Sequence, residues 1–168
     1  MTHLTVRTAI AAPPEVCFDL ARDIAFHARS LAHTGERVID RPAHDLLRLG
    51  DEVEFEGRHL GVRQRLRARI EVSDRPRHFR DVMVSGAFRS FAHDHEFEPS
   101  AGGTVMIDRL RFSAPLWPLG VVVERAVLAP YLRRLIEGRG REIKAAAERP
   151  RENPGADPNP DPLRPRRR

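Results

Sequence analysis

The pattern of apolar and polar residues at the start of the chain predicts one strand followed by two short helices. Residues 3–10 alternate between apolar and polar side chains, which is typical of a strand. The Pro-Pro-Glu run at 13–15 then opens a stretch whose apolar residues recur every three or four positions up to about Ser30. We expect two helices here, broken near Asp23 and ended by Thr34-Gly35.

From residue 37 to residue 112 the pattern changes to that of β-structure. Short connections rich in Gly, Pro, Asp and Ser separate the apolar runs, which is typical of an antiparallel meander. The predicted strands are 37–40, 51–59, 62–73, 78–85, 88–97 and 104–112, with 45–48 as a further candidate.

Helical spacing returns from Pro118 to Glu148 and predicts a helix of about 30 residues, roughly 45 Å long. Pro130 is expected to kink this helix, and Gly138 and Gly140 to weaken its middle. A long helix packed on a curved antiparallel sheet, with two short helices at one end, tends to leave a cavity between helix and sheet. Because the predicted helices lie before and after a run of antiparallel strands, the chain is predicted to be α+β.

Two histidines of the strand 88–97 share one face with apolar neighbours. His93 and His95 lie between Phe91 and Phe97 in the period of two that a strand imposes. Their apolar company predicts that both imidazoles point inward. A His-x-His pair on a strand is also a weak metal signal, and we expect no metal here.

Asp108 lies on the inner face of the next strand, together with Met106. A hairpin through 98–103 would place His93 opposite Asp108. The same register would place His95 opposite Met106. A histidine beside a carboxylate can act as a general base or form a structural pair, and Asp108 would be the third ligand if a metal bound.

Other polar residues share the predicted inner face. Gln64 lies there on one strand, and Asp81 lies there with Phe79 and Met83 on the next. Each buried polar group without a partner costs about 1–3 kcal/mol. So many inward polar groups indicate either a closed internal network or the lining of a pocket, and we favour the pocket.

The outer face carries opposite charges that pair across the two strands 51–59 and 62–72. The expected pairs are Glu52–Arg69, Glu54–Arg67 and Glu56–Arg65. Because such a stripe is neutralised, it does not form the concentrated basic surface that nucleic acids require.

Composition supports one domain and a separate tail. The chain has 168 residues, is 40% hydrophobic and has a net charge of +5. Six arginines and three acidic residues follow from Arg149 onward, while the rest carries 23 basic and 21 acidic groups. We expect a folded domain over 1–148, a disordered Pro/Arg-rich tail over 149–168, and no nucleic-acid partner.

Further classes are excluded by what the sequence lacks. The single cysteine, Cys17, rules out a disulfide framework and a cysteine-based zinc site, and it fits a reducing compartment. There is no run of eighteen apolar residues for a membrane span, no signal-peptide layout and no phosphate-binding loop. We expect a cytoplasmic protein without a cofactor.

Several stretches resemble the SRPBCC superfamily, the START-like, helix-grip group of polyketide cyclase/dehydrases and lipid-transport proteins. They are similar to a small bacterial branch of ligand-binding domains. The stretches are FDLARDIAFHARSLAHTGERVI (18–39), GDEVEFEGRHLGVRQRL (50–66), GAFRSFAHDHEFE (86–98), GTVMID (103–108) and SAPLWPLG (113–120). The resemblance implies a curved antiparallel sheet of about seven strands around a long C-terminal helix, two short helices after the first strand, and an apolar cavity.

The resemblance also implies binding, and possible transport, of a small hydrophobic ligand such as a lipid, polyketide or quinone. Positions that match the branch pattern include Ser30, Glu36, Gly61 and Phe88. Together with the inward-facing residues, we take the ligand-binding candidates to be His27, Phe55, His59, Gln64, Met83, Phe91, His93, His95, Met106, Asp108 and Tyr131.

Two alternatives remain open. In a cyclase or dehydratase, His93 or His95 would be the base and Asp108 the orienting carboxylate. Gln64 or Tyr131 would then donate to a developing oxyanion. In an interaction module, the tail or the outer sheet face would bind a protein partner, which the sequence does not identify.

Overall fold

A seven-stranded antiparallel sheet forms the body of the protein. The computed structural model describes residues 1–115 and 119–149, so the predicted tail, apart from Arg149, lies outside the described residues. The strand order is β1-β7-β6-β5-β4-β3-β2, a meander from β2 to β7 closed by β1 at one edge. The strands are β1 (Thr2–Ile10), β2 (Arg37–Asp40), β3 (Glu52–His59), β4 (Val62–Asp74), β5 (His78–Ser85), β6 (Ser90–Ser100) and β7 (Gly103–Ser113).

Two short helices follow β1, as predicted. The helical segments are α1 (Pro14–Ala21), α2 (Ile24–Ser30), a 3-10 turn (Ala32–Thr34), α3 (Leu119–Val123), a π-helical turn (Glu124–Leu128) and α4 (Ala129–Ala147). The break between α1 and α2 falls at Asp23, whose carboxylate accepts a hydrogen bond from the Phe26 N–H at 2.7 Å. Gly35 ends the 3-10 turn in a left-handed conformation, with φ 68°. The α+β helix-grip prediction is confirmed.

The C-terminal helix differs from the predicted single kinked helix. Its irregularity is the π-helical turn Glu124–Leu128, and Pro130 lies just after it, in the first turn of α4. A proline ring excludes the carbonyl of the residue four positions earlier, so a wider turn before Pro130 avoids that clash. Gly140 also does more than weaken the helix. A Cβ there would lie 2.6 Å from Thr8 Oγ1, so glycine lets α4 approach β1 closely.

The segment 45–48 is not a strand. Leu46 forms one isolated bridge with Asp23, at the junction of α1 and α2. Two backbone hydrogen bonds flank it: the Ile24 N–H donates to the Asp45 carbonyl, and the Leu47 N–H donates to the Arg22 carbonyl. These bonds satisfy the backbone at the junction, so the apolar residues there serve the helices, not the sheet.

The predicted register is confirmed for one hairpin and wrong for another. The three expected Glu–Arg pairs of β3 and β4 are all present. In the β6–β7 hairpin, however, His95 lies opposite Asp108, and His93 lies opposite Leu110. The ladder continues through Pro99 to a tight turn between Ser100 and Gly103, whereas the Pro-Ser-Ala-Gly-Gly composition had predicted a longer connection.

The interior contains two apolar clusters with a polar band between them. Along β6, Phe91 packs against the apolar cluster that contains Leu110, and Phe97 belongs to the apolar cluster that contains Met106. His93 and His95 lie between them. Along β7, Asp108 likewise separates the buried apolar residues of the two clusters. None of the described helices has the length and apolar character needed to cross a bilayer.

Candidate functional site

A cavity of about 170 Å³ lies between the inner face of the sheet and α4. The strands β3 to β6 supply most of the remaining walls, with further residues from α1, α2, the segments that follow α1 and α2, and β7. Most of the lining is apolar and includes Val53, Phe55, Ala68, Ile70 and Ile136. Most of the buried polar groups on the wall belong to two clusters, and Arg139 lies apart from both.

The first cluster, which we call the histidine–aspartate wall, comprises Asp81, His93, His95 and Asp108. One carboxylate oxygen of Asp108 lies 3.0 Å from His93 Nε2 and 2.9 Å from His95 Nδ1. His95 Nε2 lies 3.1 Å from Asp81 Oδ1. The predicted His93–Asp108 contact is therefore present despite the wrong register, because Asp108 reaches His95 directly and His93 diagonally.

The pKa values of the two imidazoles of this wall are shifted in opposite directions. Burial disfavours the imidazolium form of His95, but the carboxylates of Asp108 and Asp81 on either side raise its pKa above the ordinary value. Burial, together with the charge on His95, lowers the pKa of His93. Burial would raise the pKa of Asp108, but its hydrogen bond with His93 and the close approach of His95, whose Nδ1 has no hydrogen-bond partner among the described residues, hold it below its usual range. His95 is therefore the more readily protonated of the two, and His93 presents a neutral imidazole to the cavity.

The second cluster, which we call the Glu36 cluster, comprises His27, Glu36, His59 and Tyr131. The Glu36 carboxylate lies 3.7 Å from His27 Nε2 and 3.5 Å from His59 Nε2. His59 Nδ1 lies 2.7 Å from the Tyr131 hydroxyl, so a strand and α4 are joined across the cavity. A Cβ at Gly57 would collide with the Glu36 carboxylate, which explains why glycine occupies that position.

Acid is expected to destabilise the fold through the Glu36 cluster. Burial lowers the pKa of His27 from 6.5 to about 4. Burial opposes ionisation of Glu36, but the His27 and His59 imidazoles lower its pKa from 4.5 to about 2. In both windows the unfolded chain binds the proton first, so stability falls as the pH falls, by at most about 3 kcal/mol for each group. His27 should contribute less than this limit, because its side chain is 24% exposed.

Urea unfolding from neutral pH into acid measures this loss. Glu36→Gln should be less stable than the wild type at neutral pH and should lack the loss between pH 4.5 and 2. Glu98→Gln, at an exposed position of β6, is the matched control and should keep the wild-type profile. A Glu36→Gln profile parallel to that of the wild type would contradict the expectation.

Arg139 is a buried arginine of the cavity wall that sequence reasoning missed. Its residue is 9% exposed, its Nη2 donates to the Ala21 carbonyl, and its Nε has no hydrogen-bond partner. The signal was its position on α4. It occupies the buried stripe of Leu132, Ile136 and Ile143, where helical spacing would place another apolar residue.

The structure brings eight of the eleven predicted ligand-binding residues to the cavity wall. These are His27, Phe55, His59, Gln64, Phe91, His93, His95 and Tyr131, and Glu36 and Phe88 join them. The other three predicted residues do not line the cavity. Met106 is buried in an apolar cluster close to Gly140, Asp108 lies behind the two imidazoles, and the Met83 sulfur turns toward Gly86.

Among the described residues, one group could hold a divalent cation. Asp81, His93 and His95 each offer a ligand atom, and these atoms lie within 4.8 Å of one another. Asp81 takes the place that sequence reasoning gave to Asp108, which would instead orient the imidazoles from behind. In this structure each imidazole already has a carboxylate partner. The same imidazole and carboxylate atoms can therefore hold a proton between them in place of a metal ion.

A comparison with protein families gives one match, to the family described as "Polyketide cyclase / dehydrase and lipid transport", over residues 1–148. A search of curated proteins found no similar sequence.

Solved structures show the same fold at low sequence identity. Protein CV1439 from Chromobacterium violaceum has a TM-score of 0.67 and 15% identity, covering 89% of this chain and 100% of its own. TTHA0849 from Thermus thermophilus has a TM-score of 0.65 and 19% identity, with coverage of 87% and 99%. The major latex-like protein 151 of ginseng, Panax ginseng, has a TM-score of 0.62 and 12% identity, with coverage of 88% and 98%.

Proposed function

Because the chain belongs to the polyketide cyclase/dehydrase and lipid transport family, we propose that it binds a small, mostly apolar ligand in the cavity between α4 and the sheet. The observation that carries the proposal is the partly open cavity of about 170 Å³ with a mostly apolar wall. Ligand pockets are typically apolar with a few polar groups that fix orientation. An apolar cavity of about 150 Å³ in another protein is large enough to bind benzene.

The polar groups narrow the class of ligand. The histidine–aspartate wall and the Glu36 cluster both reach the cavity, and Gln64 adds an amide. These groups contact one another, and a guest with oxygen functions can form further hydrogen bonds with them that a plain hydrocarbon chain cannot. The cavity therefore favours a compact guest with oxygen functions, such as a polyketide or quinone fragment, over a simple acyl chain.

Calorimetric titration with 2-naphthol tests this proposal. This two-ring compound combines an apolar body with one hydroxyl group and is neutral at pH 7. We expect saturable binding with one site per chain, and a melting temperature that rises with its concentration. The absence of both heat and a thermal shift would count against ligand binding in this cavity.

A second candidate function is that of a dehydratase, and His93 is the observation that favours it. A neutral imidazole on the cavity wall, held by a carboxylate 3.0 Å away, is suited to remove a proton beside a carbonyl. The proton would pass to His93, which would then donate it to the hydroxyl group on the neighbouring carbon, so that this group leaves as water and His93 is again neutral. A β-hydroxyketone would thereby become a conjugated enone.

Dehydration of 4-hydroxy-4-phenylbutan-2-one, followed by the absorbance of the enone, tests the second candidate. His93→Gln should lower the rate by about 100-fold or more and leave the affinity for 2-naphthol nearly unchanged. Equal losses of rate and affinity would show that His93 binds the guest without acting as a base. A wild-type rate no higher than that of the variant would remove the enzymatic alternative for this substrate class.

A further inference from the structure

We propose that Arg139 anchors an anionic oxygen group of the ligand, so that the natural guest is an organic acid with an apolar body. This inference rests on the proposed binding function and names the class of ligand. The acidic group would be a carboxylate or an ionised enol or phenol, each of which presents an anionic oxygen to the guanidinium.

One argument is the position of Arg139. The residue is 9% exposed and lies on the cavity wall, on the buried stripe of α4 between Ile136 and Ile143. Arginine is rarely buried unless it is paired, because removal of its charge from water is costly. A cation at an apolar position beside a cavity therefore requires a partner.

The described residues offer the Arg139 guanidinium few hydrogen-bond acceptors. A guanidinium has five N–H donors. In Arg139, Nη2 donates to the Ala21 carbonyl, Nε has no acceptor, and no described carboxylate forms an ion pair with it. Most of its capacity to donate hydrogen bonds remains unused.

Arg22, another cavity-lining arginine, shows the contrast. Its Nε and Nη2 donate to Asp19 Oδ1 at 3.0 and 2.8 Å, and its Nη1 donates to the Leu47 carbonyl at 3.0 Å. All three of its nitrogens have acceptors within the protein. Arg22 thus stabilises the structure around α1, whereas Arg139 has N–H donors available for a ligand.

Three acidic residues lie near Arg139 without binding its N–H donors. Asp81, Asp108 and Glu36 are close enough to stabilise the charge of Arg139, although burial lowers its pKa. One oxygen of each aspartate and both oxygens of Glu36, however, already contact the imidazoles of the two clusters. They keep the guanidinium charged without occupying its donors, and an anionic oxygen of a guest can then bind two of those donors together.

A matched pair of small molecules tests the inference. The probes are 4-butylbenzoate and 4-butylbenzamide, which share an apolar body and differ in charge. For the full wild-type chain, we expect calorimetry to show about 10- to 100-fold tighter binding of the benzoate. Arg139→Met should remove this preference and retain binding of the benzamide. Arg134→Gln, at an exposed position of the same helix, should behave as the wild type.

The outcomes separate the inference from the proposed function. If the wild type binds both probes equally, Arg139 does not anchor an acid, and the cavity remains a binding site. If the wild type binds neither probe nor 2-naphthol, the binding function fails and the inference fails with it. Because the comparison of the two probes uses the wild type alone, it stands even if Arg139→Met does not fold. Arg139→Lys then keeps the charge, and we expect it to keep part of the preference for the acid.

Discussion

Ala68→Phe is expected to abolish ligand binding while the chain remains folded. Ala68 is 6% exposed, lies in the middle of β4 and lines the cavity. A phenyl ring at this position would occupy space that a benzene-sized guest needs. The affinity for 2-naphthol should fall by about 100-fold or more, the equivalent of almost 3 kcal/mol. Because the new ring fills an existing void, its overpacking cost should stay near the low end of about 1–3 kcal/mol.

Ala92→Phe is the matched control for this prediction. Ala92 lies on the opposite face of the sheet, in β6, where alternation directs its side chain away from His93 and the cavity. Calorimetric titration should show wild-type affinity for this variant. Unchanged binding in Ala68→Phe would place the ligand elsewhere, and so would equal losses in the two variants.

Asp108→Asn is expected to cause the largest loss of stability. The Asp108 residue is 3% exposed, and its carboxylate contacts both imidazoles of the histidine–aspartate wall. Asparagine removes the carboxylate charge that both imidazoles contact and leaves Asp81 as the remaining carboxylate of the wall. Removing one partner of a buried ion pair typically costs about 3–5 kcal/mol, and we expect a loss of that size in the free energy of unfolding at neutral pH.

Asp81→Asn provides the comparison, since the Asp81 side chain is 19% exposed and contacts one imidazole instead of two. Urea unfolding should show a clearly smaller loss for this variant. If Asp108→Asn lowers the free energy of unfolding less than Asp81→Asn does, Asp108 is not the main carboxylate partner of the two imidazoles. The sign of the pH dependence follows from the depressed pKa of Asp108. Its stabilisation is present above the unfolded value of 3.8 and is lost as the pH falls.

The sequence was sufficient for the faces of the strands, because alternation depends on local geometry alone. His93, His95 and Asp108 were placed inward on that basis, and all three are buried. The register between their strands was wrong by two residues, since turn composition did not reveal that β6 continues through Pro99. The contact with Asp108 survived this error because one carboxylate oxygen reaches both histidines.

The remaining parts of the site depend on contacts between distant segments. The bond between His59 and Tyr131 joins residues 72 positions apart, and no local pattern encodes it. The cavity itself reflects how side chains of different elements fail to fill the space between them, which alternation does not describe. Arg139 was detectable in principle as a charge on a buried helical stripe, but its lack of partners emerged from the packed structure.

A crystal structure of the full chain grown with 2-naphthol would show where the guest binds. We expect electron density for the two rings between α4 and the sheet, in contact with Phe55, Ala68 and Ile136. Density on the outer surface alone, or side chains that close the space between helix and sheet, would contradict it.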